Sequence, residues 1–416
     1  MKKINNSYTF GRTLSYIVTI TIIFATSFFG AQTVQAADWR FDPVIRVGYE
    51  YDDNATLNAI AAPIEIEGYL IEGSVTIGSA TQRTTIDITP MIRSRNYDVD
   101  IFDSDDVFLT LNYNHEGLKS NFRIRANYAD EAVRTAERAD ADPNVDDPDE
   151  IVGDDTGSAF AIDNRQRLWI MPQWSYDFSE RTTLAARATY IDVDYDDLIT
   201  GLFTPYSDVR IEASLSRGFS TRTRGYIKAS ARRYEPDTAG IGGAVDVDGF
   251  AFNLGLERGL TQTTRFRAEI GVEESEPAGG ASDSNVVWDI NLVNKLQTVT
   301  VLAQVKRSVN ASGAGRVSLR DSFNLNLKKQ FSDRLDGGLG IRAYSTERLS
   351  SDPGTIDERD YIQFLAQMTY ALSRTFSVQA DYRYTYIDRS TVADTAKSNS
   401  IILWLTWQPN AMTTSR

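Results

Sequence analysis

From Trp39 to Trp407, apolar and polar residues alternate with a period of two. Phe250, Phe252, Leu254 and Leu256 are interleaved with Ala251, Asn253, Gly255 and Glu257. Val209, Ile211, Ala213 and Leu215 alternate with Arg210, Glu212, Ser214 and Ser216. The same rhythm runs through residues 362–372 and 299–306. A repeat of two sets alternate side chains on opposite faces of a β-strand. One face is apolar; the other is polar and often charged. The pattern predicts eighteen strands, near residues 39–52, 65–77, 83–97, 106–116, 118–130, 165–178, 182–195, 207–219, 223–234, 248–260, 264–274, 284–296, 299–310, 320–331, 335–347, 359–372, 375–388 and 398–408. Sixteen is the alternative count.

The turns repeat too. Phe178-Ser179-Glu180-Arg181 resembles Phe219-Ser220-Thr221-Arg222 and Phe331-Ser332-Asp333-Arg334, with weaker copies beginning at Leu260, Leu296 and Leu372. These starts lie 35–41 residues apart. Each interval holds two strands, one short turn and one longer loop rich in Gly, Asp and Pro. A propeller blade would need four short strands in that repeat, and a soluble sandwich would turn every 8–12 residues.

Long strands in even number, short turns at one end and long loops at the other predict an all-β fold, a transmembrane antiparallel up-and-down β-barrel of 16–18 strands. In hydrocarbon only a closed sheet satisfies the backbone of strands, so the apolar face must meet lipid and the polar face the lumen. Tyr49, Tyr51, Tyr128, Tyr190, Tyr384 and Tyr386 are placed for one interfacial girdle; Phe178, Phe219 and Phe331 are placed for the other. The closing strand points Ile401, Leu403, Leu405 and Trp407 outward, and Trp407 stands in for a terminal aromatic because the chain runs on through Pro409 to Arg416.

The N-terminus predicts the compartment. Lys2, Lys3 and Arg12 precede an apolar stretch from Leu14 to Phe29, and small residues surround Ala36. This is the pattern of a secretory signal peptide, residues 1–36, cleaved near Ala36. Residues 37–416 then form one barrel domain, expected in the outer membrane of a Gram-negative bacterium. Short turns would face the periplasm and long loops the outside. Of the 416 residues none is cysteine and one is histidine, which excludes disulfide frameworks, zinc-thiolate sites and thiol nucleophiles. A net charge of −14 argues against nucleic acid, whose phosphates demand a surplus of bases.

Phe41-Asp42-Pro43-Val44-Ile45-Arg46-Val47-Gly48-Tyr49-Glu50-Tyr51-Asp52-Asp53-Asn54 resembles the opening of proteins of the β-barrel porin 2 family. Residues 382–390 with 400–409 are similar to that family's last hairpin. The resemblance implies an outer-membrane barrel associated with secretion of exopolysaccharide or capsule.

Residues interleaved with the apolar set should line the lumen. The bases are Arg46, Arg93, Arg123, Arg125, Arg167, Arg187, Arg210, Lys228, Arg232, Arg265, Arg267, Lys306, Lys328, Arg342 and Arg383. The acids include Glu50, Glu72, Asp87, Glu212, Glu257, Glu269, Asp289, Asp336 and Asp381. Two interpretations stay open: a path that favours anions, or ion pairs that fill and stiffen the interior. A loop at about residues 131–164 is the most acidic segment, with eleven carboxylates between Asp130 and Asp155. It is expected outside the membrane, solvated or folded partly into the mouth as a constriction. Asp140-x-Asp142-x-Asn144-x-Asp146 hints at a calcium loop but has Val145 where glycine is needed and Ile151 where a bidentate glutamate belongs.

No enzyme is expected. His115, in Asn114-His115-Glu116-Gly117, falls at a predicted periplasmic turn and reads as a turn or interface residue, not a general base. No cofactor or metal is called for. Expected partners are outer-membrane lipid and lipopolysaccharide, the barrel-assembly machinery and, through the resemblance, polysaccharide and polysaccharide-export proteins. Three functions remain: a channel or assembly component for polysaccharide export, a diffusion porin for small, anionic solutes among them, or a structural or adhesive barrel acting through its acidic loops.

Overall fold

The computed structural model describes residues 37–57, 62–138, 141–145, 147–148, 163–196, 203–237, 244–313, 315–349, 358–390 and 395–415. The predicted signal peptide lies outside them. The strands are β1 (Asp38–Asp52), β2 (Ile66–Ala80), β3 (Thr84–Tyr97), β4 (Ser104–Glu116), β5 (Ser120–Ala132), β6 (Asn164–Ser179), β7 (Thr182–Tyr195), β8 (Tyr206–Gly218), β9 (Thr223–Pro236), β10 (Val247–Gly259), β11 (Thr264–Pro277), β12 (Asp283–Lys295), β13 (Val299–Ser312), β14 (Arg316–Ser332), β15 (Leu335–Arg348), β16 (Arg359–Ala371), β17 (Phe376–Arg389), β18 (Ala396–Trp407) and a short β19 (Met412–Ser415). One helical turn, α1 (Val133–Ala136), follows β5.

From β1 to β18 each strand pairs antiparallel with the next, and β1 also pairs with β18, so the sheet closes. The eighteen long strands make an up-and-down barrel. At the seam, Ile45 to Asp52 faces Trp407 to Ser400. Pro409, which has no N–H to give a ladder, interrupts the pairing. β19 then resumes it, with Met412 to Ser415 opposite Phe41 to Asp38. The tail beyond Trp407 therefore completes the seam of β1.

The two faces of the wall differ as the alternation requires. On β10 the outward set Phe250, Phe252, Leu254 and Leu256 is exposed and is bounded by Asp248 and Arg258. Apolar side chains left outside in a closed band belong to a lipid-facing surface. Phe178, Phe219 and Phe331 are exposed at the short-turn end, Tyr49 and Tyr51 toward the other end, and Trp407 at the end of β18.

The short turns share one device. Ser332 Oγ accepts the backbone N–H groups of Arg334 and Leu335, and Ser179 Oγ those of Arg181 and Thr182. Thr81, Thr261 and Ser373 do the same in their turns. A hydroxyl placed there satisfies donors that a tight turn leaves without a ladder partner. That is the physical content of the repeated Phe-Ser-x-Arg.

At the long-loop end the interior is packed. Val133, Val193, Tyr195, Phe203, Tyr206, Tyr234, Val247, Val309, Val317, Leu319 and Leu349 form one buried cluster. Leu57 joins Tyr344, Tyr361, Ile387 and Ala396 in a second, and Ala55, Ile66, Tyr97 and Phe102 form a third.

Candidate functional site

The interior is built from the polar set of each strand. Glu72 bridges Arg93 at 2.9 Å and Arg46 at 3.4 Å. Glu212 takes Arg187 and, at 3.7 Å, Lys228, which reaches Glu269 at 2.5 Å. Arg210 meets Glu273 at 3.1 Å, Arg232 meets Asp208 at 2.6 Å, Arg267 meets Asp289 at 3.5 Å and Arg265 meets Glu257 at 3.3 Å. Glu50 accepts the Tyr97 hydroxyl at 2.6 Å, and Asp381 accepts the Gln379 amide at 2.9 Å. Arg125 lies 3.6 Å from Asp147. Arg123, Arg167, Arg342 and Arg383 take inward register positions on β5, β6, β15 and β17. Much of the mid-bore charge is thus matched on neighbouring strands, where low dielectric makes an unmatched ion costly.

The loop after β5 decides the shape of the bore. Its described part turns inward instead of standing out in solvent. Val133 is buried in the largest apolar cluster. Arg134 donates to the Tyr97 hydroxyl at 2.9 Å. Arg138 reaches Asp52 at 2.8 Å and the carbonyls of Asn54 and Ala55 at 3.2 and 2.6 Å. Glu137 pairs with Arg165 at 2.9 Å. Farther in, the Ala141 N–H donates to Gln363 Oε1 at 2.7 Å, and the Val145 carbonyl accepts from Asn326 at 2.9 Å. Asn144 contacts Gln367 and Lys328 at 3.2 and 3.1 Å. In a ring of eighteen, β14 stands nine places from β5. The loop therefore crosses the bore from one wall to the other.

Two glycines make the seat. Gly338 and Gly340 both point inward on β15. A Cβ at Gly340 would overlap the Ala141 carbonyl, and one at Gly338 would lie 2.7 Å from Pro143 Cγ. Glycine inside a strand costs pairing stability; here it lets a second backbone lie against the wall.

Beyond the crossing, Asp147 and Pro148 help roof a cavity of about 1210 Å³ at the short-turn end, floored by the turns that hold Arg181, Arg222 and Thr261.

Several functional residues escaped the sequence pattern. Arg95, paired with Asp106, and Arg138, Arg134 and Arg165 are all buried. Arg138 and Arg134 lie in a segment without periodicity, so nothing local marked them. The Gly338-x-Gly340 spacing was a readable signal of close backbone approach. His115 shares a 2.9 Å hydrogen bond with the Thr84 hydroxyl near the end of β4. Of the calcium-like spacing, Asp140 and Asp146 lie outside the described residues. Asp142 Oδ1 instead accepts the Asn144 backbone N–H at 2.8 Å.

No family model matches the chain, and no curated protein matches it. Among solved structures, it is similar to Pseudomonas aeruginosa OccK5 (OpdH) at 11% identity and a TM-score of 0.45, covering 89% of this chain and 98% of that one. It is also similar to Pseudomonas aeruginosa OpdO at 10% identity and 0.46, covering 89% and 97%. Acinetobacter baumannii OccAB4 stands at 10% and 0.44, covering 92% and 99%. Likeness at this level concerns the outline of the chain, not its cargo.

Proposed function

We propose that the chain is an outer-membrane diffusion channel for small hydrophilic solutes, narrowed from within by the loop after β5. The observation that carries this is the crossing of the bore by the described residues 133–138, 141–145 and 147–148, seated on Gly338 and Gly340, with a polar cavity beyond it. A barrel of this circumference has room for an aqueous passage, and a chain laid across it converts a wide bore into a selective one. The apolar exterior supports insertion in a bilayer. The short turns support an orientation with that end toward the periplasm after cleavage near Ala36. Lipid, lipopolysaccharide and the barrel-assembly machinery are the partners such a placement needs. The chemistry is passage, not catalysis.

Polysaccharide export is the weaker proposal. A polymer strand would have to lift Ala141 and Pro143 off their seat, whereas a small solute need not.

The test is reconstitution of the folded barrel in planar bilayers without partners. Steady single-channel steps are expected. Absence of steps from folded protein, with loss of surface polysaccharide and unchanged solute uptake on deletion in cells, would replace diffusion by export.

A further inference from the structure

The cavity beneath the loop differs from the rest of the bore in its charge balance. Two of its acids are already engaged, Asp147 by Arg125 at 3.6 Å and Glu257 by Arg265 at 3.3 Å. Arg181, Arg222 and Arg224 line the same space, and their guanidinium groups form no ion pair among the described residues. Among the described lining residues, with Asp147 and Glu257 engaged elsewhere, Glu180 is the remaining acid. The reason for the surplus lies in the turns. A serine Oγ and the backbone close the turns that carry Arg181 and Arg222, so neither guanidinium is needed to build them. Arg224 follows on β9, facing inward. Threonine hydroxyls at Thr221, Thr223 and Thr263 add further donors.

A cleft with one sign of unpaired charge and low-dielectric walls concentrates counter-ions. Guanidinium groups bind carboxylate and phosphate oxygens through paired N–H donors. The volume exceeds the several hundred Å³ typical of a small-molecule site. We infer that this vestibule, formed by Arg181, Arg222 and Arg224 beneath Asp147, is a binding site for small polyvalent oxyanions bearing two or more carboxylate or phosphate groups. The inference rests on the channel function and names the solute class for which that channel has a station. Matched charges in mid-bore let the anion pass; unmatched charges at the short-turn end hold it.

The experiment uses the full barrel folded in detergent and then in planar bilayers, with pyrophosphate and citrate as probes and the triple variant Arg181→Gln, Arg222→Gln, Arg224→Gln. Arg233→Gln, on the outward face of β9, is the control. Calorimetric titration should show binding of at least one probe, weakened about tenfold or more in the triple variant and unchanged in the control. In bilayers the same probe added at the short-turn side should block current at lower concentration in the parent than in the triple variant. A preference for pyrophosphate or for citrate assigns the site to phosphates or carboxylates. Binding without conductance keeps the site and removes the channel. Conductance with no binding, or with binding that ignores the three substitutions, overturns the site and leaves the channel standing.

Discussion

The two ends of this barrel are made from the same strands and have opposite interiors. At the long-loop end inward residues are buried: Tyr234 and Asp52 have no exposure, and Tyr361 has 1%. Charges there are enclosed in pairs, Arg138 with Asp52, Arg165 with Glu137 and Arg95 with Asp106. At the short-turn end the inward positions open on a cavity, and Arg222 and Arg224 remain exposed. Alternation is equal at both ends, so it cannot be the cause. The difference comes from what folds back. Long loops bring a second layer of chain against the wall; four-residue turns have nothing to bring. A transmembrane barrel can thus be plugged and anchored at one rim while it stays wet and charged at the other.

The largest test of that contrast removes the seat. Gly338→Val with Gly340→Val leaves residues that suit a strand but occupies the space of Pro143 and Ala141. The folded barrel, recognised by its heat-dependent gel migration, should conduct about twofold or more above the parent because the constriction is displaced. Unchanged single-channel steps would show that the crossing does not limit flow.

Next comes the anchor. Arg138→Ala leaves Asp52 buried without its partner, a loss of about 3–5 kcal/mol. The expected readout is protease cleavage within residues 133–138 under conditions where the parent resists there, with the barrel itself intact. Equal resistance would mean that the apolar cluster around Val133 alone holds the loop.

A smaller effect is expected at the seam. A Cβ at Gly48 would lie 2.6 Å from the Trp404 ring, so Gly48→Ala should cost about 1–3 kcal/mol through overpacking. The denaturant midpoint for unfolding measures it. The smallest lies at the open end. Ser332→Ala removes the acceptor of two turn N–H groups and should cost about 0.5–1.5 kcal/mol. Amide exchange should quicken at Arg334 and Leu335 alone. Quickening at Ala141 as well would join the two ends into one cooperative unit and weaken the contrast.

Much of the wall was legible along the chain. Phe250 to Glu257 and Val209 to Ser216 declare their two faces because neighbours two apart share one environment. The Phe-Ser-x-Arg turns declared themselves because a hydroxyl closing its own turn is a local event. The acidic segment after β5 was readable as charged and aperiodic, with a constriction as one option. Its path was not, because Ala141 finds Gln363 across 222 positions of chain, and no periodicity reaches that far. For the lumen charges the sequence left anion path and ion pairs as alternatives. The structure shows ion pairs for Arg187 and Arg210, whereas Arg181 and Arg222, which read as turn residues, form none among the described residues.

The sequence by itself determined a closed, lipid-facing wall, since strand period and turn closure are set by residues within a few positions of one another. Tertiary structure alone decided that one loop would span the bore, which arginines would find carboxylates, and where charge would be left over. Those outcomes depend on partners brought together by closure of the ring, and closure is a property of all eighteen strands at once.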